Sequence, residues 1–173
     1  MVNVCDILDR LTLMNNMHDL DNKRTKTLEN CYEIVRENLG KIFNDLLPGA
    51  TAHLNLVDER DVTQGAELQV QFNKVKKELS ELSGGQRSLL ALSFILALLL
   101  YKPSPFYILD EIDSALDLSH TENIGYMISQ RFPQSQFIII SLKEGMFQNA
   151  NVLYKVHFAE GESKVDRQVL RKK

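Results

Sequence analysis

The 173-residue sequence has only two cysteines, Cys5 and Cys31, and both fall within one long helical pattern. At 1.5 Å rise per residue they sit roughly 40 Å apart, too far to pair within that helix. Unpaired thiols predict a reduced, intracellular setting. Positive charge is not in excess: 20 Lys and Arg face 23 Asp and Glu, a net charge of −3 that argues against nucleic-acid binding by bulk electrostatics. Arg167, Arg171, Lys172 and Lys173 are the one basic gathering, and they read as solvated terminal charge. No charged-then-apolar leader opens the sequence, so secretion is not expected. The longest apolar run, Leu89 to Tyr101, is broken by Ser93 and falls short of the roughly 20 residues of a membrane span. It predicts a buried core helix, and no membrane contact is expected. No internal repeat or low-complexity tract occurs. No G-x-x-x-x-G-K-[ST] stretch occurs either, so nothing in the chain cradles a β-phosphate in a loop of that kind.

What is present suits one soluble domain with a real core: 44% of the residues are apolar and 25% charged. Val4, Ile7, Leu11, Met14, then Leu28, Tyr32, Val35, Leu39, Ile42 and Leu46 step by threes and fours, with His18, Asp21 and Thr25 in the same register between. A seam of that period is what a coiled coil presents to a partner helix. An amphipathic helix lying on its own domain has the same pattern, and both readings stay open. Pro48-Gly49 ends the helix. His53–Val57 and Ala66–Phe72 alternate by two and predict an antiparallel hairpin. A helix to about Leu100 follows, stopped by Pro103 and Pro105. Phe106–Leu109, a helix opened by the S-x-x-E box Ser119–Glu122, and Phe137–Ile140 predict a βαβ unit with two buried parallel strands. A hairpin turning near Glu160-Gly161 closes the chain.

Two short stretches carry chemistry. In "LSGGQRSLLALS", Ser83 is a good N-cap and Gln86 completes a capping box, yet neither explains Gly84 and Gly85 in the first helical turn. Bare backbone N–H groups at the positive end of a helix admit a phosphate closely. Close packing against another backbone is the alternative. In "FYILDEIDSALDLS", Asp110 and Glu111 stand at the carboxyl end of a parallel strand, where open α/β sheets bind ligands. One acid there could help hold magnesium and the other could take a proton from water. A charged strand end facing solvent is the plainer alternative.

Taken together the stretches resemble the ATP-binding-cassette superfamily. Leu82-Ser83-Gly84-Gly85-Gln86 is similar to its signature motif, Tyr107–Glu111 to its Walker B strand, and Ser114-Ala115-Leu116-Asp117 to its D-loop. The longer strings, with "SLKEGMFQNANVLY", resemble the structural-maintenance-of-chromosomes (Smc) ATPases, most closely those of condensin. The resemblance is tight from Ile42 to Phe158 and loose before it. It implies the C-terminal half of a split ATPase head, an α/β fold with a partly parallel sheet, flanking helices and hairpins. Residues 1–47 would be a coiled-coil neck helix and residues 48–173 the C-terminal lobe of the head. The P-loop lobe would lie elsewhere in a far longer polypeptide.

The resemblance also implies roles. ATP and magnesium would be the ligands, with Asp110 holding the metal and Glu111 polarising the attacking water. Ser83, Gly84, Gly85 and Gln86 would bind the γ-phosphate of ATP held by a partner head, and Asp117 would lie at the interface between heads. Hydrolysis would then need the N-terminal lobe and a second Smc head. A kleisin subunit would bind the neck, and DNA would be met through the complex, at chromosomes in the nucleus with a cytoplasmic pool. Many cassette ATPases place a histidine where this sequence has Leu142, so that contact is absent or supplied elsewhere, with the Ser141 hydroxyl as a candidate. A transporter subunit fits less well, because it has no heptad neck. A structural module that only holds coiled coil and kleisin is the reading from another class, and it has little need for Glu111.

Overall fold

The computed structural model describes residues 4–170, with side-chain surroundings from residue 8 onward. The side chains of Val4, Cys5 and Ile7 therefore lie outside the described ones, and Arg171, Lys172 and Lys173 outside the described residues. The chain opens with helix α1 (Val4–Leu46), stopped at Pro48-Gly49, where Gly49 takes a φ of +87°. The seam on α1 has two fates. Leu11, Met14 and Leu28 are exposed, whereas Val35, Leu39, Ile42 and Leu46 are buried in the domain core. The C-terminal part of the seam thus lies on its own domain, as an amphipathic helix would, and the earlier part is left open. The polar middle of the seam is solvated: His18 and Asp21 are exposed, and the Thr25 hydroxyl bonds back to the Asp21 carbonyl at 3.1 Å.

Strands β1 (Ala50–Leu56) and β2 (Ala66–Phe72) pair antiparallel, with Ala50 opposite Phe72 and Leu56 opposite Ala66. A third strand that the sequence pattern does not signal, β3 (Val75–Lys77), folds back on β2 through Asn73 and Lys74, both at positive φ. Helix α2 (Gly84–Tyr101) lies against α1 and buries Leu89, Leu90, Leu92, Ser93, Leu96 and Ala97. It has the length and apolarity of a short membrane span, but this packing gives it the role of a core helix. Ser93 interrupts the run without leaving a buried hydroxyl unpaired, because it donates to the Leu89 carbonyl at 2.7 Å.

The predicted βαβ unit is present: β4 (Phe106–Asp110), α3 (Leu118–Arg131) and β5 (Gln136–Ile140), with the strands parallel and Ile108 opposite Ile138. The expectation that both strands are buried is corrected on one face. Tyr107, Leu109, Phe137 and Ile139 pack inward, where Phe132 meets both Tyr107 and Phe137 edge to face and the latter two rings are tilted at 37° to each other. Phe106, Ile108, Ile138 and Ile140 stay exposed on the other side. A one-turn helix, α4 (Glu144–Phe147), packs on α3, and β6 (Val152–Ala159) and β7 (Glu162–Val169) form the closing hairpin through Glu160 and Gly161, both at positive φ.

Candidate functional site

The start of α2 is capped as the sequence predicts. Gln86 N–H donates to Ser83 Oγ at 3.2 Å, and Ser83 N–H donates to Gln86 Oε1 at 3.1 Å. The two glycines differ in their reasons. A β-carbon on Gly85 would lie 3.3 Å from the Ala115 carbonyl oxygen, so close backbone packing accounts for that glycine. One on Gly84 would meet nothing within 4 Å. The first turn of α2 is therefore pressed against the 114–117 turn on one side and open on the other.

Asp110 ends β4, and both Asp110 and Glu111 are exposed. Glu111 adopts a φ of +47°, left-handed backbone that is unfavourable for a residue with a side chain. It is held there by its neighbours. Glu111 N–H donates to the Ile140 carbonyl at 2.9 Å, extending the parallel pairing by one residue, and its own carbonyl accepts from Ser114 N–H at 3.2 Å. Glu111 thus stands in a fixed turn directly after the strand end at Asp110, with both residues exposed.

Asp117 lies one turn further on, and here the sequence expectation is corrected. The cap of α3 is Asp117 and not Ser119: its Oδ1 accepts from His120 N–H at 3.0 Å and from the Ser119 hydroxyl at 2.8 Å. The helix starts at Leu118, which places a carboxylate, the stronger acceptor at a helix N-terminus, in the capping position. Glu122, freed from capping, accepts from Gln148 Nε2 at 2.9 Å. The His120 backbone N–H, followed by the Ser119 hydroxyl, holds the Asp117 carboxyl below the usual carboxylate range.

Two residues that the sequence reading passes over complete the surroundings. Asp113 is 2% exposed, and its Oδ2 accepts from the Ser141 hydroxyl at 2.5 Å. Lys143 Nζ reaches the carbonyls of Asp113, Ser114 and Leu116. The Ser141 hydroxyl is thus committed to Asp113 and is not a free donor for phosphate, and Leu142 is 90% exposed. A third acid in "DEID" is the only signal in the sequence that could have pointed to Asp113.

Among the described residues no three His, Cys, Asp or Glu side chains gather as a metal-binding group. Magnesium asks for less, because it keeps waters and is commonly bound by one or two carboxylates together with substrate phosphates. Asp110 and Glu111, exposed at a strand end, fit that demand as part of a site whose phosphates are held by another segment. The grooves beside Tyr126, lined on one side by Phe147 and Leu153 and on the other by Asp45 and Arg131, include none of these site residues.

Residues 34–164 match the family described as "RecF/RecN/SMC N terminal domain". The chain is 54% identical over 164 residues to "Structural maintenance of chromosomes protein 2-1" of Arabidopsis thaliana, covering 94% of the chain and 14% of that protein. It is equally similar, 54% over 166 residues, to "Structural maintenance of chromosomes protein 2" of Dictyostelium discoideum, covering 95% and 14%. The chain thus spans about one seventh of the length of these relatives. Among solved structures, the Smc head domain of Pyrococcus furiosus, with an extended coiled coil and bound to the C-terminal domain of ScpA, matches with a TM-score of 0.77 and 29% identity, over 94% of this chain and 41% of that one. A structure from work on "ATP-driven dimerization and DNA stimulated activation of SMC ATPases" matches with a TM-score of 0.70 and 34% identity, over 79% and 84%.

Proposed function

The chain belongs to the structural-maintenance-of-chromosomes (SMC) family, and on that footing we propose that it is the C-terminal half of a condensin-type ATPase head. ATP is bound and hydrolysed between two such heads to drive chromosome organisation. One arrangement carries the reading: the exposed acids at the end of a parallel strand, the open capped start of α2, and the Asp113–Asp117 turn between them lie in one contiguous framework. Residues 1–47 serve as the neck and residues 48–173 as the lobe.

In this reading Asp110, with the phosphates of ATP, holds magnesium, which when bound supplies charge neutralisation at the phosphates. Glu111 accepts the proton of the attacking water, a task suited to an exposed carboxylate carried on a fixed turn. Ser83, Gly84 and Gly85 offer the start of α2 to the γ-phosphate of ATP on the partner head, with Gly84 leaving room for close approach. Gln86 supports them by closing the capping box. Asp117 meets the partner head. The missing half of each site comes from a P-loop lobe elsewhere in the same polypeptide, and the exposed face of β4 and β5 is where that lobe would cover the sheet. The relative described by ATP-driven dimerization and DNA stimulation supports a paired, DNA-responsive ATPase, and the one bound to ScpA supports a kleisin partner. The neck is the proposed kleisin contact, and the nucleus and its chromosomes, with a cytoplasmic pool, are the proposed location.

Calorimetric ATP titration tests the half-site directly. The chain alone is expected to bind no ATP, and the chain co-purified with its P-loop lobe to bind it in a magnesium-dependent way. Tight magnesium-dependent binding to the chain alone would mean a complete site within it and would sink the proposal.

A further inference from the structure

Three backbone carbonyls of the turn between the strand-end acids and α3 converge on one ammonium group. Lys143 Nζ donates to Asp113 O at 2.6 Å, to Ser114 O at 3.1 Å and to Leu116 O. An ammonium has three donors, and this one spends all of them on a single turn. The same loop is tied a second time: Lys143 N–H donates to Ser141 Oγ at 2.9 Å, and that hydroxyl donates to the buried Asp113 carboxylate at 2.5 Å. Between the tied carbonyls stands Ala115, whose own carbonyl oxygen is the atom a β-carbon on Gly85 would crowd at 3.3 Å. Contacts therefore run without a break from the loop after β5, through the Asp113–Leu116 turn, to the first turn of α2. The turn leads back to Glu111, whose carbonyl it bonds, and forward into Asp117.

We propose that Lys143 is a positioning residue of the ATPase: it holds the Asp113–Leu116 turn in shape and so sets the spacing of Glu111, Asp117 and the open start of α2. This rests on the function proposed above, since the residues whose spacing it sets are those assigned to the chemistry there. The outward residue of the loop, Leu142, is 90% exposed and has nothing to offer a phosphate, while its cation faces inward. Clustered carbonyl oxygens carry like partial charges and would spread or turn to water without that cation. A small displacement of a positioned group is enough to slow chemistry far more than it weakens binding.

The test uses the full-length protein assembled with its partner head, with the wild-type assembly as a control for the ATPase reading. Lys143→Met keeps the length of the side chain and removes its donors. It is expected to lower kcat by about tenfold or more while leaving KM for ATP within about threefold, the signature of a group that matters in the transition state. Lys143→Arg, which keeps charge and reach, should recover most of that loss. A kcat unchanged at a temperature well below the unfolding midpoint, with only thermal stability reduced, would overturn the proposal. Arginine performing no better than methionine would do so as well. If Lys143→Met does not fold, Lys143→Gln, which removes the charge and keeps a donor, decides: a lowered kcat with unchanged KM supports the proposal, and an unchanged kcat overturns it. Absence of ATP hydrolysis by the assembled wild-type heads would instead overturn the underlying ATPase reading, whatever the Lys143 variants do, and full turnover in Glu111→Gln would remove Glu111 from the mechanism.

Discussion

At Glu111 backbone strain and proposed chemistry meet. A side chain at φ +47° costs about 1–3 kcal/mol, a strain that persists only where surrounding contacts impose it. Two predictions separate the residue's structural cost from its use. Glu111→Gly should raise the unfolding midpoint, because glycine accepts left-handed backbone freely, and should abolish hydrolysis in the assembled heads. Glu111→Gln should keep ATP binding and slow hydrolysis roughly 100-fold or more, as expected for losing a general base. Steady-state turnover and nucleotide affinity measured on the same preparation check this, and unchanged turnover would remove Glu111 from the mechanism. Asp110 and Glu111 are visible in the sequence because two acids directly after an apolar run are unusual. Lys143 and Asp113 are not, because their partners include main-chain carbonyls and a hydroxyl up to 30 residues away. No residue pattern marks a carbonyl as an acceptor.

Among the elements, α3 and α4 are fitted together most closely. A β-carbon on Gly145 would lie 2.4 Å from Thr121 Oγ1 and 3.0 Å from the Leu118 carbonyl, and one on Gly125 would lie 3.1 Å from the Met146 carbonyl. Each glycine lets the backbone of one helix approach the other, and both are buried. Gly145→Ala should therefore destabilise the lobe by about 1–3 kcal/mol, the usual cost of overpacking, with α4 pushed off α3. Thermal or denaturant unfolding of the variant measures it, and an unchanged midpoint would mean that α4 shifts freely. The period of α1, the alternation in β1 and β2, and the turn at Glu160-Gly161 are all legible, since side-chain spacing reflects backbone geometry. Helix starts are less so. The S-x-x-E string at Ser119 mimics a cap, but the helix has already begun at Asp117, whose carboxylate accepts from His120 N–H and from the Ser119 hydroxyl itself. Strand β3 is short, has Val75 as its one apolar residue beside two lysines, and turns at Asn73-Lys74, so no alternation announces it.

For the molecule as a whole, the apolar surface is in the wrong place for a self-sufficient domain. Phe106, Ile108, Ile138 and Ile140 line one open face of the β4–β5 pair, and Tyr154, Val156, Phe158, Val165 and Val169 are exposed on the closing hairpin. Contiguous apolar area of that kind marks a surface meant to be covered. The chain alone should self-associate at micromolar concentration, and co-expression with its P-loop lobe should yield a monodisperse one-to-one species. Light scattering on both preparations checks this, and a stable monomer of the chain alone would count against a missing lobe on that face. The sequence by itself determined the order and type of most elements, the capped glycine start of α2 and the two strand-end acids, because these depend on neighbours a few residues apart. Only the tertiary structure decided which of two adjacent glycines is there for packing, which half of the α1 seam is buried, and that Lys143 points into the turn rather than into solvent. Those outcomes depend on segments distant in sequence meeting at atomic range, which local periodicity does not encode.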